Sequence, residues 1–229
     1  GLVLTRAFAN AVADPNSPIT KVYALVQTSS LTNPDKAAAV QAIRDIPNVE
    51  IRAAKYDDPK SLTEALQGVD IVVSALSWQG LPAQFPLIEA AKNAGKIQAH
   101  DALYASGLNY TIVNTGGFYQ HWVTRLGNLG MGEVGPVVIV YGEGKQPANF
   151  VDIADVASYV ARAVVDPRLE NKKLWTDNKV ATQLEIIEIW EKVTGRQVQK
   201  KFVSKEEAGK EEEKAEGMEK FMWRVSIDF

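Results

Sequence analysis

Short apolar runs that alternate with stretches of helical periodicity constrain this chain more than any other feature. Lys21 to Val26 (KVYALV) and Asp70 to Leu76 (DIVVSAL) are apolar almost throughout, without the polar alternation of a half-exposed strand. Between and around them apolar residues recur every three to four positions. Leu2, Leu4, Ala7, Phe8, Ala11 and Val12 form one stripe, ended by Asp14-Pro15. Ala37, Ala38, Val40 and Ile43 form another, opened by Asn33-Pro34 and stopped by Pro47-Asn48. Val49 to Ala53 reads as a strand, Ser61 to Leu66 as a short helix, and Gln84 to Ala94 as a helix closed by Gly95. Alternation of this kind with short links predicts an α/β fold, a doubly wound parallel sheet with helices on both faces.

The alternation fails in two places. The chain opens with a helix where such a sheet opens with a strand. Lys96 to Leu103 is helical directly after the helix closed by Gly95, although each helix should return the chain to a strand. Further residues are therefore expected before Gly1, between Gly95 and Lys96, and around Gly127 to Gly135. From Tyr110 the pattern changes. Tyr110 to Val113 and Val137 to Tyr141 read as strands, Asp152 caps a helix with Ile153, Val156, Ala157, Val160, Ala161 and Val164 on one face, and Leu184 to Thr194 is a helix stopped by Gly195. Lys200 to Lys220 carries six lysines and seven acidic residues and reads as a solvated helix face.

Composition narrows the function classes. The 229 residues carry 25 basic and 28 acidic side chains, a net charge of −3, which lacks the electrostatic footprint of nucleic-acid binding. Absence of cysteine excludes disulfides and thiolate chemistry and fits a reducing, cytoplasmic setting. The apolar runs are too short to span a membrane, and Leu2 to Val12, interrupted by Arg6 and Asn10, does not read as a leader. With two histidines and no cysteine, no metal site is expected, and no GxSxG elbow announces a hydrolase.

In open parallel sheets ligands bind beyond the carboxyl ends of the strands. Beyond KVYALV stand Gln27, Thr28, Ser29 and Ser30, without the carboxylate that accepts ribose hydroxyls in NAD sites. Lys36, a few residues on, suits a 2′-phosphate, though it reads equally as a helix-surface lysine. Ser74 and Ala75 would let a cofactor approach the backbone, or simply admit a packed helix. Lys96 and His100, four apart on a helix, share a face. A lysine there could serve as a proton donor or as a plain surface residue.

Five stretches then resemble one family. Leu87-Ile88-Glu89-Ala90-Ala91-Lys92-Asn93-Ala94-Gly95 with Lys96, and Ala105 to Val113 (ASGLNYTIV), are followed by Phe150 to Val156 (FVDIADV), Val165 to Lys172 (VDPRLENK) and Ile189 to Gly195 (IWEKVTG). They resemble the NmrA-like and isoflavone reductase-like family, atypical short-chain dehydrogenases/reductases. The resemblance implies a Rossmann-like NAD(P)-binding domain over 1–115 and a mainly substrate-binding α/β lobe over 116–229, some of whose segments return to the first domain. It implies NADP(H) as cofactor. Gly1 corresponds to the last glycine of the family's phosphate loop. Gln27 replaces the family's arginine and Lys36 preserves its lysine at the 2′-phosphate, while Lys55 replaces an acidic residue near the adenine. Ser29, Ser74, Ala75, Leu76, Thr115 and Gly116 complete the implied cofactor contacts, Gly116 standing where plant reductases carry asparagine. Lys96 matches the family's catalytic lysine. Phe118 matches the aromatic residue by the nicotinamide and the substrate, with Tyr119, His121 and Trp122 facing the substrate pocket. The expected activity is NADPH-dependent reduction of a small aromatic or phenolic compound, with a homodimer as the expected assembly. A non-catalytic NADP(H) sensor and a redox-neutral isomerase or cyclase stay open, since fold does not fix reaction type.

Overall fold

The computed structural model describes residues 1–75, 99–126 and 135–216, and of 99–102 the backbone only. The described residues form two compact units, 1–112 with 157–174, and 113–156 with 175–216.

In the first unit, α1 (Leu2–Ala13) packs on β1 (Val22–Gln27) and on α3 (Ala37–Arg44). β1 pairs in parallel with β2 (Val49–Ala54), Val22 opposite Val49 and Gln27 opposite Ala54, so the carboxyl ends of both strands lie side by side. Ala9, Ala24, Val26, Val40, Ile46, Ala54 and Leu62 are among its buried apolar residues, with Ile112 and, from 157–174, Ala157, Val160, Ala161 and Ala163. α4 (Pro59–Ala65) starts two residues before the expected Ser61, because Asp58 accepts from the Lys60 and Ser61 amides and Pro59 suits the first turn. A one-turn helix, α2 (Thr28–Thr32), follows β1 directly, and a 3₁₀ turn over Pro34–Lys36 leads into α3.

The strand expected over Asp70 to Leu76 does not appear among the described residues: 70–75 lie outside any helix or strand, and Leu76 lies outside the described residues. Ile71, Val72 and Val73 are 47%, 46% and 37% exposed. A strand exists only through a ladder partner, and among the described residues no strand pairs with this run. Further on are α5 (Ala99–Ser106) and β3 (Thr111–Thr115), which pairs with β7 (Lys172–Thr176).

The second unit centres on β4 (Gly117–Phe118), β6 (Pro147–Val151) and β8 (Lys179–Thr182), with β6 in the middle, parallel to β4 and antiparallel to β8. β5 (Val137–Tyr141) pairs in parallel with β9 (Gln199–Val203), Val137 opposite Gln199. This corrects the expectation for Lys200 to Lys220, since its start is a strand and, among its described residues, only α9 (Lys205–Lys214) is helical. Val203 supplies the buried contact, while Lys200 reaches Glu191 at 3.0 Å. α7 (Ile153–Ala163) and α8 (Gln183–Thr194) occupy their expected places, with Asp152 capping the former. A capping box of Thr182 and Glu185 starts α8, and Gly195, at φ 66°, ends it. Leu126, Val138, Val140, Phe150, Ala181, Ile186 and Ile187 form the core.

Candidate functional site

Four of the residues assigned to the cofactor from sequence, Gln27, Ser29, Lys36 and Lys55, follow or end β1 and β2. Gln27 ends β1, caps α2 and is exposed, as is Ser29. Ser30, on α2, is buried, and its hydroxyl accepts from the Lys36 ammonium at 3.3 Å. Lys36 ends the 3₁₀ turn, whose geometry is fixed by Pro34 and by Asn33 accepting from the Asp35 amide at 2.9 Å. Among the described residues no carboxylate pairs with Lys36. The ammonium thus keeps its charge unneutralised and retains two donors for a ligand. Lys55 follows β2, exposed, with its backbone amide held by the Ser61 hydroxyl at 3.0 Å. Gly1 caps α1 with no side-chain acceptor for the first-turn amides. Ser74 and Ala75 are exposed and outside any strand, so the close backbone approach inferred from a buried strand is not shown by them. Lys96 and Leu76 lie outside the described residues, and so do the helix over Gln84 to Ala94 and the junction at Gly95.

The remaining cofactor candidates Thr115 and Gly116, and the residues assigned to the substrate, come from the end of β3 and the segment after it. Thr115 closes β3 and is exposed. A Cβ at Gly116 would overlap the Asn149 carbonyl oxygen, and one at Gly117 would stand 2.9 Å from the Trp122 ring. This backbone therefore has no room for the asparagine that plant reductases carry at Gly116. Parallel pairing of β4 with β6 sets Phe118 opposite Val151. The next turn, α6 (Tyr119–Trp122), divides the expected quartet. Tyr119 stacks on Phe150 at 6.1 Å and Trp122 meets the same ring edge-on at 6.3 Å, both packing on the core. Phe118 and His121 instead pair with each other, edge to face at 6.2 Å, with His121 exposed.

Two polar groups in this region escaped the reading of the sequence. Gln120 donates to Asp152 at 2.6 Å and accepts from the Ile153 amide at 3.4 Å, tying α6 to the start of α7. Hydrogen bonds from the Ala154 amide and then Gln120 hold the Asp152 carboxyl below its ordinary pKa. Asn149 donates to the Thr176 carbonyl at 3.2 Å and to Asp177 at 3.3 Å, while its buried Oδ1 has no partner among the described residues. Neither residue type announces such a role, which arises only from strand register.

Comparison with known proteins now bears on this arrangement. The family model for the NmrA-like family matches residues 96–222, more than half of the chain. The chain belongs to the NmrA-like family. Isoflavone reductase homolog P3 of Arabidopsis thaliana is 30% identical to this NmrA-like chain over 81% of it and 70% of the relative. Pinoresinol reductase 2 of the same plant is 31% identical over 65% of the chain and 59% of the relative. A crystal structure of isoflavone reductase matches the NmrA-like chain with a TM-score of 0.77 at 23% identity, covering 97% of this chain and 81% of that one. The complex of leucoanthocyanidin reductase with NADPH from Vitis vinifera matches with a TM-score of 0.78 at 18% identity, covering 98% and 82%. These neighbours establish the Rossmann-like α/β class. Among the described residues no helix is long and apolar enough to cross a membrane, and no three His, Asp or Glu side chains gather as metal ligands.

Proposed function

We propose that this chain is an NADP(H)-dependent reductase of a small phenolic compound. The observation that carries the reading is the Lys36 ammonium, anchored by Ser30 near the carboxyl end of β1 where no acidic residue stands. A 2′-phosphate fits such a cation, whereas the paired ribose hydroxyls of NAD call for a carboxylate. The first-turn amides of α1, uncapped by any side chain, suit the pyrophosphate. The bound cofactor would supply the hydride. In this reading 1–115 is the cofactor domain and 116–229 mainly the substrate lobe. Phe118 and His121 face the substrate, with Tyr119 and Trp122 as their backing. Lys96 orients the nicotinamide ribose and provides or positions the proton donor, a role supported by its match to the family lysine. Relatives named for the reduction of isoflavones, pinoresinol and phenylcoumaran benzylic ethers supply the substrate class. A cytoplasmic homodimer belongs to the same proposal.

The test follows NADPH oxidation against isoflavone, lignan and phenylcoumaran substrates. Turnover is expected with at least one, and Lys96→Ala should lower it by about two to four orders of magnitude, the scale of a lost general acid. NADPH affinity should fall far less. Turnover that survives Lys96→Ala removes that residue from the reaction. The second reading, a non-catalytic sensor, draws on exposed Gln27 and Lys55 in place of the family's arginine and acid. It predicts no turnover with any of these compounds, together with partner binding that responds to NADP redox state.

A further inference from the structure

We infer that Ser30 is a positioning residue that sets the preference for a 2′-phosphorylated dinucleotide by holding Lys36 in place. The inference rests on the NADP(H) reading above and adds to it a residue that never needs to touch the ligand. Ser30 is only 9% exposed, and its oxygen lies 3.3 Å from Lys36 Nζ, six positions along the chain. The stretch joining them is braced throughout. The Thr32 hydroxyl reaches the Ser29 carbonyl at 3.5 Å, Asn33 caps the Asp35 amide, and the Lys36 amide donates to the Asn33 carbonyl at 3.0 Å. Backbone placement of Lys36 is therefore fixed independently of its side chain. What the Ser30 hydroxyl adds is fixation of the amine. A free lysine has among the largest rotamer entropies of any side chain and loses it on gripping a phosphate. Here the loss is incurred on folding, which is preorganisation. The serine hydroxyl is neutral, so it holds the ammonium without cancelling its charge, as an Asp or Glu in its place would.

The test measures binding of NADPH and NADH to the full-length protein by nicotinamide fluorescence, with urea unfolding as the check on folding. Lys36→Ala should lower NADPH affinity by about tenfold or more, one charge-assisted contact, and leave NADH unchanged. Ser30→Ala should lower NADPH affinity by about three- to tenfold, the worth of ordering one long side chain, again sparing NADH. Ser30→Thr, which keeps the hydroxyl, should hold the wild-type ratio. In the double variant Ser30→Ala/Lys36→Ala, affinity should match Lys36→Ala alone, because a residue acting through Lys36 has nothing left to act on. Equal losses for NADPH and NADH in Ser30→Ala, or additive losses in the double variant, would overturn the inference. If Lys36→Ala leaves the NADPH-to-NADH ratio unchanged, the phosphate reading itself fails, and the role of Ser30 with it. If Lys36→Ala shifts that ratio and Ser30→Ala does not, only the positioning role is lost.

Discussion

Gln183 offers the sharpest test of what holds the second unit together. It is the first residue of α8, and its side chain behaves toward β5 as a neighbouring strand would. Its Oε1 accepts from the Tyr141 amide at 3.1 Å, and its Nε2 donates to the Ile139 carbonyl at 2.7 Å and to the Leu126 carbonyl at 3.1 Å. Ile139 and Tyr141 are two apart and face the same edge of β5, the one away from β9, to which the Gly142 amide is joined through the Val203 carbonyl at 2.9 Å. Gln183→Ala removes three hydrogen bonds at about 0.5–1.5 kcal/mol each. The site is half-buried, so water can partly replace them, and a net cost of about 2–3 kcal/mol follows. Amide hydrogen exchange reads this locally. The Tyr141 amide should exchange about 30- to 100-fold faster, taking about 1.4 kcal/mol per tenfold. Gln183→Glu separates the parts. At neutral pH it still accepts from Tyr141 but sets a carboxylate against two carbonyl oxygens, so Tyr141 should stay protected while the urea midpoint falls. Unchanged protection of Tyr141 in Gln183→Ala would refute the argument. Leu126 closes the turn that follows α6, so loosening Gln183 should also broaden the NMR signals of the Phe118–His121 pair.

Three further outcomes are expected. Gly116→Ala should destabilise the protein by about 1–3 kcal/mol in urea unfolding, because the new methyl meets backbone that has no rotamer to yield; a neutral result would mean that β4 and β6 can move apart. Arg52→Ala should cost about 2 kcal/mol, since its guanidinium donates to the Ala65 and Gln67 carbonyls at 2.8 Å each and stacks 3.5 Å from the Tyr23 ring centre. Arg52→Lys should recover only part of that in the same assay, because an ammonium lacks the planar fork. The Asp166 carboxyl, held down to about 2 by the Arg168 side chain and backbone amide, should titrate higher but still below 3.8 in Arg168→Ala when followed by NMR, because the amide remains. Its folded pKa lies below the unfolded one, so its stabilising contribution is complete above about 4 and is lost as pH falls through about 2.

How far the sequence disclosed this structure depends on what each element uses for its signal. α1, α3, α7 and α8 have apolar stripes and polar or glycine stops, all local, and all lie where those signals place them. β1, β2 and β5 are apolar enough to declare themselves. β7, β8 and β9 are not, because lysines occupy Lys172, Lys173, Lys179, Lys200 and Lys201, and only the pairing partner makes them strands. Asp70 to Ala75 shows the converse, a run with strong strand propensity and no partner strand among the described residues. On the candidate site, the polar segment after β1 was legible, but the bond between Ser30 and Lys36 was not, since it depends on a one-turn helix that no periodicity marks. The sequence likewise marked Phe118 to Trp122 as one aromatic group. Register against β6 then assigned Tyr119 and Trp122 to packing and left Phe118 and His121 paired with each other.

Parallel pairing of β5 with β9 also sets a timetable for synthesis. β5 leaves the ribosome with all of 142–198 still to follow before its partner exists. During that interval Val138 and Val140, both fully buried in the finished protein, belong to a strand whose β9 edge is open. Exposed edges of this kind recruit other chains. A polypeptide arrested at residue 198 should therefore associate with chaperones or aggregate, whereas one released after residue 203 can close the pair. Commitment of the second unit to its native state is thus postponed until Gln199–Val203 has emerged, however early the aromatic segment that precedes β5 was made.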